Sequence, residues 1–158
     1  MPVVIDPGGA FGTGAHPTTR LCLELLQALE PASLLDIGCG SGVLAIAAEK
    51  LGFSPVVALD NDPEAIEATL TNVEANGVAP DVRLFDALVE PLPSADAAVC
   101  NISLRALEEL APRLRCKTLV ASGYLATDDL RLPGFRIVNR HEQGDWAAVV
   151  ARPERGGK

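Results

Sequence analysis

The fold is decided by residues 34–42, which read Leu34-Leu35-Asp36-Ile37-Gly38-Cys39-Gly40-Ser41-Gly42. A short, mostly apolar run leads into a turn that contains three glycines, and an alanine-rich segment over residues 43–51 follows at once. We interpret this order as a buried strand, a glycine loop and a helix. A second apolar run over residues 56–59 then ends at Asp60. Strand, glycine loop, helix, strand and acid is the layout of a nucleotide-type ligand site on an open parallel sheet.

The loop and the acid each offer a contact to such a ligand. Gly38 and Gly40 carry no side chain, so the backbone can approach a ligand closely there. The start of the following helix leaves backbone N–H groups directed at the loop. Asp60 lies 22 residues after Gly38, where its carboxylate can accept hydrogen bonds from both hydroxyls of a ribose. We therefore predict that Gly38, Gly40 and Asp60 bind the ligand.

The spacing of the glycines separates two classes of ligand. A dinucleotide fold uses G-x-G-x-x-G, whereas this chain has Gly38-x-Gly40-x-Gly42, with Asp36 two residues before the first glycine. This D-x-G-x-G-x-G form resembles motif I of the class I methyltransferases, which use S-adenosylmethionine. That ligand has an amino-acid tail and a sulfonium instead of a pyrophosphate. An NAD-dependent oxidoreductase stays as an alternative that the spacing disfavours.

Composition and charge restrict the class of protein. The 158 residues fit one domain with one core, and 48% of them are apolar. No apolar run approaches the ~20 residues of a membrane helix, and the first residues do not resemble a signal peptide. We expect a cytoplasmic protein with no membrane association. The net charge of −8 argues against a broad nucleic-acid-binding face. Four cations form either a local basic patch or a solvated helix face: Arg105, Arg113, Arg115 and Lys117.

The cysteines are placed for packing more than for metal binding. Cys22, Cys39, Cys100 and Cys116 form no C-x-x-C pair, and the chain has two histidines, so we expect no metal site. Three of the four lie in apolar runs, which favours buried free thiols in a reducing compartment. Cys39, inside the glycine loop, is a packing or ligand-contact residue before it is a nucleophile.

Hydrophobic periodicity and turn residues predict an alternation of helices and strands. After the first two strands, Asp62 and Pro63 begin a helix with Ile66, Leu70 and Val73 near one face, and Gly77 ends it. The resulting fold class is an α/β sheet with helices on both faces. The other predicted helices are residues 18–29 and 104–114, and the other strands are residues 82–85, 96–100, 118–122, 135–138 and 147–151, the last two antiparallel.

The segment before the first helix carries a longer resemblance. Asp6-Pro7-Gly8 is followed by Ala10-Phe11-Gly12-Thr13-Gly14, and then by His16-Pro17-Thr18-Thr19. This pattern resembles the signature of the PrmA-type methyltransferases, which modify a bacterial ribosomal protein. Matches continue nearly to the end of the chain. The resemblance implies a Rossmann-like class I methyltransferase domain over residues 1–158, with a mostly parallel seven-stranded sheet and an antiparallel C-terminal strand. Residues 1–19 would be a glycine-rich cofactor loop leading into the first helix.

The resemblance also implies site residues. It carries over Thr19, Gly38, Asp60 and Asn101 as cofactor-binding positions, with S-adenosylmethionine as the cofactor. The hydroxyl of Thr19 alternatively only caps the backbone of the first helix. Asp86 follows the third strand at the same sheet edge, where it either binds the adenine amino group or is a solvated loop acid.

Two further side chains have a predicted role at the reaction centre. Asn101 follows the fourth strand, and an amide there can accept a hydrogen bond from an acceptor amine while its NH2 group binds cofactor. We predict Asn101 as the catalytic residue. Phe11 either closes over the cofactor as part of a lid or packs the loop onto the core. His16 is a candidate base, although a histidine before Pro17 is more typical of a structural hydrogen-bonding residue.

The resemblance stops short of the methyl acceptor. PrmA-type enzymes have an additional N-terminal domain that docks the ribosomal protein, and this sequence begins at the catalytic signature. Ala15 also replaces the usual threonine of the loop. We therefore expect N-methylation of a protein amine or of a small amine, with help from a partner subunit or from such a domain. The alternative is a non-catalytic module, or a partner-dependent subunit, that binds S-adenosylmethionine.

Overall fold

Seven strands form one sheet with helices packed on both of its faces. The computed structural model describes residues 16–154. The sheet order is β3-β2-β1-β4-β5-β7-β6. The helices are α1 (Pro17–Gln27), α2 (Val43–Lys50), α3 (Pro63–Asn76) and α4 (Leu104–Leu110), with a 3₁₀ turn at Ala111–Arg113. The strands are β1 (Leu34–Ile37), β2 (Val56–Asp60), β3 (Asp81–Leu84), β4 (Ala97–Asn101), β5 (Thr118–Leu125), β6 (Phe135–Gln143) and β7 (Trp146–Pro153).

The order of the strands creates a switch point between β1 and β4. The chain adds β2 and β3 on one side of β1 and then crosses to place β4 on the other side, all four strands being parallel. β5 continues the parallel part beside β4, while β7 is antiparallel to both β5 and β6. The loops after β1 and β4 therefore diverge to opposite faces and leave a crevice at the carboxyl edge of the sheet, where open α/β sheets bind ligands.

The core consists of one apolar layer on each face of the sheet. Leu21, Leu25 and Leu26 of α1 join α2 in the first layer. Leu107 and Leu110 of α4 lie in the second layer. All four residues of β1 are buried, as are Ala97–Cys100 of β4, because the sheet is covered on both sides. The predicted α/β class with helices on both faces is confirmed.

Local signals located the ends of α3 correctly. The Asp62 side chain accepts a hydrogen bond from the backbone N–H of Glu64, and Pro63 is the first helical residue. Gly77 ends the helix in the left-handed conformation with φ of 66°. These are the roles that the sequence predicted for all three residues.

The large apolar residues that the sequence placed near one face of α3 are not its most buried ones, although Ile66 packs partly buried against the core. The buried residues are Ala65, Ala68, Thr69 and Asn72, whereas Leu70 is 51% exposed. Small side chains let this helix lie close to the glycine loop, and two polar side chains have hydrogen-bond partners there. A search for large apolar residues at helical spacing misses such a face, because it weights size and hydrophobicity only.

Other boundaries differ by a few residues. The predicted helix over residues 18–29 begins at Pro17 and ends at Gln27, and the one over 104–114 ends as a 3₁₀ turn. β5, β6 and β7 are longer than predicted, since pairing between antiparallel neighbours extends them. Three of the four cations near α4 have separate partners. Arg105 pairs with Glu109, Lys117 pairs with Asp96, and Arg113 donates to backbone carbonyls. No helix within residues 16–154 has the length and apolar character to cross a membrane.

Candidate functional site

A cleft of about 140 Å³ lies at the carboxyl edge of the sheet, beside the switch point. It brings together three predicted site residues, Gly38, Asp60 and Asp86, which follow or end three different strands. Apolar side chains complete the wall, namely Ile37, Leu59, Phe85, Leu88 and Ile102. A mixed lining of this kind, apolar with a few convergent polar groups, is typical of a small-molecule site.

The carboxylate of Asp60 is held on both sides by backbone. Its Oδ2 atom accepts a hydrogen bond of 3.0 Å from the N–H of Gly40, and its Oδ1 atom accepts one of 3.0 Å from the N–H of Asp62. These two bonds fix the orientation of the carboxylate at the mouth of the cleft. Each oxygen keeps a further lone pair, so the group can still accept hydrogen bonds from a diol.

Four N–H groups of the glycine loop have acceptors within the protein. Gly38 and Cys39 both donate to the carbonyl of Leu59, at 2.8 and 2.9 Å, and Gly42 donates to the carbonyl of Cys39. Gly40 donates to Asp60. A loop that binds a pyrophosphate must present free N–H groups to the anion. This loop instead places a carboxylate on one of them, which disfavours a phosphate ligand at that position.

Two polar side chains of α3 clamp the loop from the other side. The Thr69 hydroxyl donates to the carbonyl of Gly40 at 2.9 Å, and the Asn72 amide donates to the carbonyl of Ser41 at 2.9 Å. The Cys39 thiol lies 3.4 Å from the same Thr69 hydroxyl. Thr69 and Asn72 are both fully buried. Sequence reasoning missed this clamp, although two polar residues three apart, next to Ala65 and Ala68, were a usable signal of a polar face.

Asp36 is a buried acid beneath the same loop. Its side chain is 1% exposed and accepts a hydrogen bond from the backbone of Ala45 in the first turn of α2. The other carboxyl oxygen, Oδ2, has no hydrogen-bond partner. The pKa of Asp36 is raised from 3.8 to about 7, mainly because of burial; the Ala45 bond lowers it, and the negative charge of Asp60 contributes to the rise. The acid thus connects the end of β1 to the start of α2.

Close backbone contacts shape the cleft on the β4 side. Gly38 has φ of 77°, and a Cβ atom there would lie 2.6 Å from Cγ2 of Ile102. Gly123 lies in the irregularity of β5 between Ser122 and Tyr124, with φ of 104°. A Cβ atom on Gly123 would lie 2.0 Å from the carbonyl oxygen of Ile102. The absence of side chains at these two glycines therefore sets how close Ile102 comes to the loop after β1.

Asn101 and Thr19 lie together, as the family resemblance implies. Asn101 ends β4, and its Nδ2 donates to the hydroxyl of Thr19 in the first turn of α1 at 3.4 Å. Thr19 is fully buried, whereas Asn101 is half-buried. This contact joins residues that are 82 positions apart in the sequence.

His16 has the structural role that its position before Pro17 suggested. Its Nδ1 atom accepts a hydrogen bond from the backbone N–H of Thr18 at 3.2 Å, which caps α1. The same atom lies 2.8 Å from the Thr18 hydroxyl, and the ring contacts Trp146 edge-on with centroids 4.9 Å apart. A ring nitrogen that accepts from the backbone is a helix cap, and nothing in this geometry makes it a base.

Asp86 belongs to a tight turn over residues 86–90. Its Oδ1 atom accepts from the N–H of Leu88 at 3.0 Å, and its own N–H donates to the carboxylate of Glu90. The carbonyl of Asp86 accepts from Val89 and Glu90. Asp86 therefore lines the cleft and also organises its own turn.

The cysteines within residues 16–154 are all free thiols. Cys22, Cys39 and Cys100 are buried and Cys116 is partly buried, as predicted. Burial raises the pKa of Cys39 to about 12, which suits packing and not nucleophilic attack. In the same described range, no group of three or more His, Cys, Asp or Glu side chains is placed to hold a metal. Phe11 and the glycine-rich segment 1–15 lie outside the described residues.

Comparison with known proteins identifies relatives along nearly the whole chain. A family model described as ribosomal protein L11 methyltransferase (PrmA) matches residues 1–154. A ribosomal protein L11 methyltransferase from Actinobacillus pleuropneumoniae serotype 3 (strain JL03) is 44% identical over 94% of this chain and 55% of the relative. The corresponding protein from Pasteurella multocida (strain Pm70) is 43% identical over 95% of this chain and 56% of its own length. The chain spans about half the length of the curated relatives it matches.

Solved structures share the fold. The crystal structure of a ribosomal protein L11 methylase from Lactobacillus delbrueckii subsp. bulgaricus superposes with a TM-score of 0.79 at 28% identity, covering 96% of this chain and 84% of that one. TrmN from Thermus thermophilus superposes with a TM-score of 0.67 at 22% identity, covering 85% of this chain and 48% of that one. The second likeness shows the Rossmann-like architecture alone.

Proposed function

Since this chain belongs to the ribosomal protein L11 methyltransferase (PrmA) family, we propose that it is an S-adenosylmethionine-dependent methyltransferase. The observation that carries the proposal is the carboxylate of Asp60, held at the mouth of the cleft by the N–H groups of Gly40 and Asp62. This arrangement suits a ribose, and it places a carboxylate on a loop N–H group that a pyrophosphate would otherwise use. It therefore favours S-adenosylmethionine over NAD.

The residues of the cleft fit the parts of this cofactor. Asp60 would accept from the ribose hydroxyls, and Asp86 would accept from the adenine amino group. Gly38 would let the amino-acid portion lie against the backbone, beside Gly40. When bound, the cofactor supplies an electrophilic methyl group on a sulfonium. Thr19 and Asn101 would contact it from the β4 side, and Phe11 is proposed as part of the covering loop.

Asn101 is the side chain that we propose touches the methyl acceptor. Its Nδ2 is directed at Thr19, so its Oδ1 is the atom that would accept a hydrogen bond from an amine N–H. That bond would orient the nitrogen lone pair toward the methyl group, and orientation is the main contribution that a protein makes to such a displacement. The acceptor must be a neutral amine, and a lysine has an ordinary pKa of about 10.4, so its proton has to leave to water or to a neighbouring base first.

The names of the relatives support a proposal for the methyl acceptor. They are named for ribosomal protein L11, and we propose a protein amine of that kind, with a small amine as the alternative. Such an acceptor would place the reaction in the cytoplasm. The described strands form one sheet, which supports a single cofactor-binding domain over residues 1–158. Docking of a protein acceptor would then depend on a further domain or a partner subunit.

Ligand binding tests this proposal directly. The protein should copurify with, or bind by calorimetry, S-adenosylmethionine or S-adenosylhomocysteine, and should not bind NAD under the same conditions. Binding of NAD without S-adenosylhomocysteine would overturn the proposal. Methyl transfer from radiolabelled cofactor to a small amine, and to purified ribosomal protein L11 with a docking domain or partner subunit supplied, then separates an enzyme from a non-catalytic binding module. Such a module would bind cofactor and transfer nothing to either acceptor.

A further inference from the structure

We propose that Arg113 is a positioning residue for recognition of the adenine amino group, because it holds the turn that carries Asp86. This inference rests on the proposed function, since it assumes that the cleft binds an adenosyl group. Arg113 lies in the 3₁₀ turn after α4, on an element that contributes no side chain to the lining of the cleft. It acts through the backbone of residues 86–90 and does not touch the ligand.

The guanidinium of Arg113 makes two hydrogen bonds to that turn. Its Nε donates to the carbonyl of Ala87 at 2.9 Å, and its NH2 group donates to the carbonyl of Glu90 at 2.7 Å. The planar fork of an arginine can satisfy both carbonyls at once, which a lysine cannot do. The two bonds therefore hold the second and the last residue of the turn, Ala87 and Glu90, to one planar guanidinium.

The turn needs such a support because little of its apolar surface is buried beyond Ala87, which packs partly buried against the second apolar layer. Leu88 is 42% exposed and Val89 is 72% exposed. Its internal bonds, from Leu88 to the Asp86 carboxylate and from Asp86 to the Glu90 carboxylate, connect the turn to itself and not to the rest of the fold. Arg113 supplies a polar connection between the turn and the α4 side of the core.

The placement of Asp86 matters for specificity because a carboxylate distinguishes a donor from an acceptor. An adenine presents an amino group that can donate to Asp86, whereas a purine without that group leaves the carboxylate without a partner. A hydrogen bond to a charged group is worth about tenfold or more in affinity when its geometry is good. Without the Arg113 bonds the turn can move, and Asp86 is less often placed to accept a hydrogen bond from the amino group. The preference for adenine should therefore fall.

Two ligands test this inference by calorimetry: S-adenosylhomocysteine, and its analogue with purine in place of adenine, which lacks only the amino group. The wild-type protein should prefer the adenine ligand by about tenfold. In Arg113→Met, which keeps the aliphatic stem, the preference should fall below about threefold through weaker binding of the adenine ligand. Arg113→Lys should lie between the two, because it can reach one carbonyl. Arg105→Met is the matched control, since Arg105 is exposed and pairs only along its own helix.

The outcomes separate positioning from general stability. Arg113→Met added to Asp86→Ala should reduce the preference no further, because both changes remove the same contact. Equal weakening of both ligands in Arg113→Met, or an unchanged preference, would overturn the inference and leave Arg113 a structural residue. If Arg113→Met unfolds, Arg113→Lys carries the same comparison. A wild-type protein that binds both ligands equally overturns the inference alone, whereas one that binds neither overturns the proposed function.

Discussion

The two sides of the cleft differ in the number and the length of the hydrogen bonds that hold them. On the side of β1 and α2, the glycine loop is held by bonds to Leu59, Asp60, Thr69 and Asn72, none longer than 3.0 Å. On the side of β4, the side chain of the catalytic candidate Asn101 is half-buried and contacts the Thr19 hydroxyl at 3.4 Å. The first side is a closed polar network in the core, and the second is a single long bond at its margin.

This difference corresponds to the two proposed tasks. A cofactor of fixed shape is best bound by groups that are oriented before it arrives, because little ordering entropy then remains to be lost on binding. A methyl acceptor carried on another molecule has to be accommodated where side chains still have room to adjust. The proposed cofactor subsite is therefore the preorganised one of the two.

The largest expected effect is on the free energy of unfolding, when Asp36, the buried acid beneath the glycine loop, is substituted. An acid whose pKa is raised in the folded state keeps its proton where the unfolded chain has lost it, so its contribution to stability falls as the pH rises. For Asp36 this window runs from its ordinary pKa near 3.8 to about 7. Asp36→Asn should remove that loss, so its stability relative to wild type should increase by roughly 4 kcal/mol across the window.

Urea unfolding at several pH values measures this difference. Asp81→Asn is the control, because Asp81 is exposed and pairs with Arg83 on the surface. If the free energies of unfolding of wild type and Asp36→Asn differ by a constant amount from pH 4 to 7, the acid has an ordinary pKa despite its burial.

Removal of Asp60 should have the next largest effect, on cofactor affinity. Asp60→Ala deletes the proposed ribose contact and also frees the N–H of Gly40, so binding of S-adenosylhomocysteine should weaken about 100-fold, or ~2.7 kcal/mol. Asp62→Ala removes an equal charge nearby, and should cost about 1 kcal/mol of stability as a lost helix cap but little affinity. If Asp60→Ala and Asp62→Ala lose affinity equally, the loss is due to the removed negative charge and not to a hydrogen bond between Asp60 and the ribose.

Asn101→Ala should distinguish a role in orienting the methyl acceptor from a role in binding the cofactor. If Asn101 orients the acceptor, kcat for methyl transfer to ribosomal protein L11 should fall about 30-fold, whereas the affinity for S-adenosylhomocysteine should change less than threefold. Transfer kinetics and calorimetry on the same preparation measure both values. A parallel loss of affinity and kcat would show that Asn101 serves mainly to bind cofactor.

Loss of one bond of the α3 clamp should have the smallest effect. Thr69→Val keeps the shape of the side chain and removes the bond to the carbonyl of Gly40. We expect a loss of about 1–2 kcal/mol in stability and about threefold to tenfold in cofactor affinity. Thr71→Val on the exposed side of the same helix should change neither. If the two variants behave alike, the clamp does not hold the loop in its binding conformation.

Much of the site could be predicted because local chemistry determines it. The glycine spacing, the acid at Asp60, and the caps at Asp62 and Gly77 each depend on residues a few positions apart, or on an end of a strand whose edge is known from the fold class. The resemblance of the first segment then indicated Thr19 and Asn101 as one site, and the structure brings them into contact.

The sequence by itself determined the order of elements, the loop that approaches the cofactor and the acid beside it, since backbone conformation and strand ends obey short-range rules. Tertiary structure alone decided which face of α3 is buried, that Thr69 and Asn72 clamp the loop, and that Arg113 holds the turn of Asp86. It also decided that Asp36 is cut off from water. These contacts join residues about 10 to 30 positions apart. Partners at that separation are selected by packing: a local pattern such as Thr69 and Asn72 beside small residues indicates a polar face but does not identify what that face contacts.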